Sequence, residues 1–229
     1  MRIVVFGANG PTGRHLVEQV ISGGHQAVAV TRNPQSFPDL GAKVLQADVF
    51  QRRAVAECLD GADAVLSVLG VPFTRKLVNT FSTGTANIIA SMPRRGVHRL
   101  VVVSSTGAHH YRNRHDASLA LRLFEPIISR TIGKTVYDDL RRMEDIVAES
   151  ELDWTVVRPS TLFDADRVSD YTAGEVPPVG AFTARIDLAH YVSSIVGDAS
   201  TYRTTPIVST ISGAPTFWQN MRNEMSKSR

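Results

Sequence analysis

Cysteine is almost absent: Cys58 stands alone among 229 residues, which excludes an internal disulfide and any metal centre built from cysteines. No apolar stretch approaches the length of a membrane span, so no membrane role is expected. Met1 leads straight into an apolar run, leaving no room for a signal peptide, and with the lone cysteine this gives an expected cytoplasmic location. A strong excess of either charge is missing too. The 25 Lys and Arg against 22 Asp and Glu give a net charge of +3, too little to suggest a nucleic-acid partner, although it favours a small anionic ligand. Internal repeats and low-complexity linkers are also lacking, and the length suits one α/β domain spanning 1–229.

What is present is an alternation of short β-branched runs with helical patterns. Strands are expected at Ile3–Phe6, Gln26–Thr31, Lys43–Gln46, Ala64–Val68, Leu100–Ser104, Thr155–Arg158 and Pro206–Ile211. Helices are expected at Thr12–Ser22, Arg53–Leu59, Val78–Met92, Thr135–Glu149 and Leu188–Val196. This βαβ rhythm predicts a Rossmann-type doubly wound parallel sheet, strand order 3-2-1-4-5-6, with helices on both faces. Two stretches fall outside the rhythm. The segment 107–133 is long for a strand-to-helix connection and is read as a lid or substrate wall, or else as a packing helix or dimer surface. The tail from Gly213, with Phe217 and Trp218, is expected to dock on its own domain.

The first expected strand runs directly into Gly7-Ala8-Asn9-Gly10-Pro11-Thr12-Gly13 and then into a helix. In such a turn one glycine bends the chain, a second lets backbone approach a pyrophosphate, and a third lets helix and strand pack closely. The helix then presents its free amides and positive dipole end to the anion. Choice between dinucleotides is expected at the end of the second strand, where an acid would bind a ribose hydroxyl. That position reads Thr31-Arg32-Asn33-Pro34, and no acidic residue occurs between Glu18 and Asp39. An Arg offers charge-assisted hydrogen bonds to a 2′-phosphate, so NADP(H) is the expected cofactor. Asp48 and Val49 are expected beside adenine, and Val68, Leu69 and Gly70 beneath the adenosine ribose and pyrophosphate.

These residues resemble the atypical short-chain dehydrogenase/reductase superfamily, in particular its NAD(P)H-binding, NmrA-like branch with flavin- and biliverdin-reductase-like members. The resemblance rests on Gly7–Gly13, Thr31–Pro34, Asp48, Val103-Ser104-Ser105-Thr106-Gly107, Trp154-Thr155-Val156-Val157-Arg158-Pro159-Ser160 and Ala184-Arg185-Ile186-Asp187-Leu188-Ala189. It implies further cofactor contacts from Ser104, Pro159 and Ser160. It also implies a substrate-orienting hydroxyl at Ser105 or Thr106 and a helix carrying a proton-donating Tyr with a Lys four residues on. Tyr137 occupies the first of those positions and Arg141 the second, with Glu144 three residues further. Arginine supplies the charge but not the shape or the titration of lysine, which leaves Tyr137 either a proton donor or a packing residue. His109, His110 and Tyr111 are candidates for the substrate side, and no ligand set for a metal is visible.

The implied activity is hydride transfer from NADPH to a small conjugated or aromatic molecule such as a quinone, a flavin or a biosynthetic ketone. The alternatives are an NADP(H)-sensing regulatory protein without turnover and an NADP-dependent isomerase or epimerase. A small-molecule substrate and a monomeric or homodimeric state are expected.

Overall fold

The computed structural model describes residues 1–72, 74, 76–109, 111 and 133–215. In chain order its principal elements are β1 (Arg2–Phe6), α1 (Pro11–Ser22), β2 (Gln26–Thr31), β3 (Lys43–Gln46), α2 (Arg52–Cys58), β4 (Ala64–Ser67), α3 (Thr80–Ser91) and β5 (Arg99–Val103). There follow α4 (Lys134–Ala148), β6 (Asp153–Pro159), β7 (Thr161–Phe163), β8 (Tyr171–Gly174), β9 (Phe182–Ala184), α5 (Arg185–Ser194) and β10 (Ile207–Thr210).

The main sheet runs β3-β2-β1-β4-β5-β6-β10-β8. Its strands are parallel except β8, which pairs antiparallel with β10 at the edge. The centre of the sheet is apolar on both faces, as a parallel sheet covered by helices must be. Ile3, Val5, Ala29 and Leu66 pack with Leu16, Val17, Leu188 and Val192 of α1 and α5. On the opposite face Val4, Phe6, Val28 and Val65 pack with Val55, Ile88, Leu140 and Met143 of α2, α3 and α4. β1 is flanked by β2 and β4, so successive crossovers leave it in opposite directions and a crevice opens at the carboxyl ends of these strands.

Helix α4 shows how sequence period becomes packing. Val136, Leu140, Met143 and Val147 recur at helical spacing and are all buried. Asp139 lies on the same helix and is fully buried. Its carboxylate accepts from the Phe81 amide at 2.8 Å, the Ser82 amide at 3.4 Å and the Ser82 hydroxyl, and pairs with Arg142 at 3.1 Å. A neighbouring helix thus supplies the acceptor that Asn79, at the amino end of α3, does not provide through its own side chain, a contact of the kind worth about 1 kcal/mol at a helix start.

The strands beginning at Arg99 and Asp153 start earlier than their apolar patterns predict. Arg99 is buried because its guanidinium finds five acceptors: the carbonyls of Asp153, Ile195 and Val196 and the hydroxyls of Thr155 and Thr201. The short β7 and β9 pair parallel in a small separate sheet. Three-residue strands carry no readable period, and neither they nor β8 is predicted from sequence. Most of the 107–133 insertion, residues 110 and 112–132, lies outside the described residues, as does the tail 216–229.

Candidate functional site

A cleft of about 630 Å³ opens at the carboxyl ends of the central strands. This is within the range of small-molecule and cofactor sites. Gly7 adopts φ +78°, and a Cβ there would stand 2.6 Å from the Val68 carbonyl oxygen. A Cβ at Gly13 would stand 2.2 Å from the Gly7 carbonyl oxygen and 2.6 Å from that of Ala8. The outer two glycines are therefore demanded by the fold of the turn itself. At Gly10, extended and capping α1, a Cβ would meet only the Gly7 oxygen at 3.4 Å, so the middle glycine chiefly keeps the space before the helix clear. Pro11 at the first helical position gives up an amide that would have no partner in the helix. No acidic side chain in the first turn competes for the remaining amides.

The cleft walls bring together Gly7, Asn9, Gly10, Pro11, Thr12 and Gly13 from the loop, Thr31, Arg32 and Asn33 from the end of β2, Asp48 and Val49 after β3, and Val68, Leu69 and Gly70 after β4. The β2 turn is held by its own hydrogen bonds. The Thr31 hydroxyl accepts from the Asn33 amide at 3.2 Å, and Gln46 Nε2 donates to the Arg32 carbonyl at 3.1 Å. The Arg32 side chain is exposed and makes no ion pair or hydrogen bond among the described residues. Asp48 accepts from the Phe50 amide at 3.0 Å, while Asn87 of α3 donates to the Val49 carbonyl at 2.8 Å. Gly84 lets α3 approach this wall, since a Cβ there would meet Val49 at 3.0 Å and Leu69 at 3.1 Å.

At the other end the cleft is bounded by Val103, Leu162, Arg185 and Leu188. No site role for these residues is readable from their spacing; Arg185 lies in the Ala184–Ala189 segment, but nothing in that pattern reveals which way it faces. Its guanidinium pairs with Asp164 at 2.7 Å. Buried Asp187 accepts from the Ser169 amide and hydroxyl and from the Thr210 hydroxyl, which pins the start of α5 beside β10.

Ser104, Ser105, Thr106, Tyr137, Arg141, Pro159 and Ser160 are not among the residues that line this cleft. Ser104, Ser105 and Thr106 follow β5, Tyr137 and Arg141 of α4 pack against the turn they form, and Pro159 ends β6. The Ser105 hydroxyl accepts from the Gly107 amide at 3.1 Å. The Tyr137 ring lies against Gly107 so closely that a Cβ there would stand 2.6 Å from its hydroxyl oxygen. Arg141 donates to the Ala108 carbonyl at 2.7 Å and pairs with Asp138, which also holds Lys134 at 2.6 Å. The hydroxyl of Ser160 is buried without a hydrogen-bond partner among the described residues.

His109 joins a charged cluster that sequence spacing did not reveal. Its Nε2 lies 2.9 Å from Glu144 Oε2, and Arg158 binds the same carboxylate through Nη2 and, at 3.2 Å, through Nε. Arg158 Nη1 also approaches the Tyr111 hydroxyl at 3.5 Å. Burial alone would raise the Glu144 carboxyl, but hydrogen bonds from His109 and Arg158, together with the Arg158 charge, hold it down at about 2. Residues on one strand, one turn and one helix meet here. His110 lies outside the described residues. Among the described residues no group of three or more His, Cys, Asp or Glu could hold a metal ion, and no helix is long and apolar enough to cross a membrane.

Strand order, glycine turn and cleft together define a dinucleotide-binding protein of the Rossmann type. The family can be named more closely: a model described as NAD(P)H-binding matches residues 7–199, and the chain belongs to that family. A Mycobacterium bovis protein is 37% identical over 106 residues, which is 46% of this chain and 12% of that protein. The chain thus matches only about an eighth of the length of this relative. An anaerobilin reductase of Escherichia coli O157:H7 superposes with a TM-score of 0.72 at 17% identity, covering 94% of this chain and 100% of that one. A short-chain dehydrogenase/reductase from Veillonella parvula, solved with NADP, superposes with a TM-score of 0.74 at 17% identity, covering 94% and 99%. At these identities the superpositions establish a shared fold. The cleft fits the family's cofactor, because Gly10 leaves the space before α1 open and no acidic side chain stands in the first turn of that helix.

Proposed function

We propose that this protein is an NADPH-dependent reductase of a small conjugated acceptor, such as a quinone, a flavin or a ketone. The observation carrying the reading is the β2 turn: Arg32 borders the cleft with no ion-pair partner among the described residues, and the turn bears no acid to receive a ribose hydroxyl. The amides of Thr12 and Gly13 would hold the pyrophosphate and Arg32 the 2′-phosphate, while Val103, Leu162 and Leu188 shield the far end of the cleft from water. When bound, the reduced nicotinamide supplies a hydride. In this reading the Ser105 or Thr106 hydroxyl orients an acceptor carbonyl, and Tyr137, whose ring lies against Gly107 of the same turn, gives the proton. Arg141 braces that turn through the Ala108 carbonyl.

The test is NADPH and NADH oxidation by purified protein with menadione, FMN and a panel of aromatic ketones. NADPH is expected to turn over faster than NADH. Arg32→Ala should raise the KM for NADPH about tenfold, the value of one charge-assisted contact, and leave NADH within about twofold. Absence of turnover across the panel refutes the reductase. One observation favours a second reading: Arg141 is committed to Ala108 and Asp138, away from the cleft wall. Tight NADP binding without turnover, with a protein partner whose affinity depends on the cofactor, would identify a dinucleotide-sensing regulator instead.

A further inference from the structure

The β2 turn and the glycine loop are stitched together by a side chain that no motif singles out. Arg14, on the first turn of α1, donates to Asn9 Oδ1 from Nε at 3.2 Å and from Nη2 at 2.8 Å. Its Nη2 also reaches the Ser36 carbonyl at 3.4 Å. Asn9 in turn donates from Nδ2 to the Ser36 hydroxyl at 2.6 Å, and Ser36 donates to the Asn33 carbonyl at 3.0 Å. Asn9, Arg32 and Asn33 all border the cleft. A chain of hydrogen bonds therefore leads from the pyrophosphate loop through Arg14 to the residue beside Arg32.

Arg32 lines the cleft, Arg14 is tied to Asn9 of the cleft wall without lining it, and no carboxylate among the described residues pairs with either guanidinium. Arg14 is exposed, and its Nη1 donates to none of the described residues. Two unpaired cations on hydrogen-bonded segments favour a group carrying close to two negative charges over a neutral hydroxyl. The geometry is also pre-organised. Asn9 and Ser36 hold the Arg14 head in place, so little side-chain freedom remains to be lost when an anion arrives.

We propose that Arg14 is the second cation of the 2′-phosphate site and, with Arg32, sets the preference of the cleft for the phosphorylated dinucleotide. This rests on the reading of Arg32 as the 2′-phosphate ligand. Asn9 serves both ends of the arrangement, bordering the pyrophosphate loop while fixing the Arg14 head through its amide oxygen.

The test is isothermal titration of the full chain with NADP+, NAD+ and adenosine 2′,5′-bisphosphate, comparing wild type with Arg14→Ala, Arg14→Lys and Arg32→Ala. Arg14→Ala should weaken NADP+ and the bisphosphate about tenfold and change NAD+ less than about twofold, and Arg14→Lys should recover most of the loss. A role confined to bracing the glycine loop would weaken NADP+ and NAD+ alike, and that result overturns the proposal, as does unchanged NADP+ binding in Arg14→Ala. Selective loss in Arg32→Ala with none in Arg14→Ala refutes Arg14 alone. Selective loss in Arg14→Ala with none in Arg32→Ala supports Arg14 and refutes the reading of Arg32. Wild-type protein that binds NAD+ as tightly as NADP+ overturns both.

Discussion

Replacing Glu144 with glutamine should cost the protein stability in a way that depends on pH, because this carboxylate is charged inside the fold. It is nearly buried and holds Arg158 and His109 together. The carboxyl sits at about 2 in the folded chain against its usual 4.5, with desolvation opposed and outweighed by the His109 and Arg158 hydrogen bonds. A depressed acid contributes stability above its unfolded value and loses it as pH falls towards its folded value. The difference corresponds to about 3 kcal/mol at pH 7 and about 1.5 kcal/mol at pH 3, most of the decline falling below pH 4.5. Glu144→Gln keeps the size of the side chain and removes the charge, leaving Arg158 half-buried without its counter-ion. Urea unfolding of both proteins at pH 7 and at pH 3 reads the gap directly, through the midpoint and an unchanged slope. A variant within about 0.5 kcal/mol of wild type at pH 7, a scale typical of inert surface changes, would refute the reasoning. So would an equal gap at both pH values, since the loss would then owe nothing to ionisation.

Two further substitutions probe the turn and the loop. Gly107→Ala places a methyl where the Tyr137 ring stands, so the ring must move; tyrosine fluorescence of the variant in a Tyr137→Phe background and in its parent should differ, and turnover should fall about tenfold or more if Tyr137 is the acid, whereas unchanged kcat would remove it from the chemistry. Gly13→Ala forces a Cβ against two backbone carbonyls that cannot swing aside; a loss of about 2 kcal/mol or more in thermal or urea unfolding is expected, and a variant as stable as wild type would show that the turn is not as tight as described.

Much of the fold was legible because each central strand is short, β-branched and bounded by turns. The bounds of β2 and β3 agree with the pattern residue for residue. The early start of β5 was hidden by Arg99, since a charge argues for solvent until its five acceptors, spread over distant segments, are known. The β7–β9 pair escaped for a different reason: three residues fit either a strand or a loop. In the cleft, the glycine turn was readable because it is one continuous motif directly after an apolar strand. The buried charged cluster was not. Glu144, Arg158 and His109 come from separate elements, and only the packing of α4 over β6 brings them into contact. Arg185 and Arg14 stand next to recognised motifs, yet their orientation depends on helix phase and on partners such as Asp164 and Ser36.

The 2′-phosphate reading of the β2 turn is tested most directly by calorimetric titration of the purified chain with NADP+ and NAD+ under one set of salt conditions. Tighter binding of NADP+ by tenfold or more, with the gap reduced about tenfold in Arg32→Ala, is the expected result. No heat from either dinucleotide at millimolar concentration, or equal affinity for the two in wild-type protein, would contradict it.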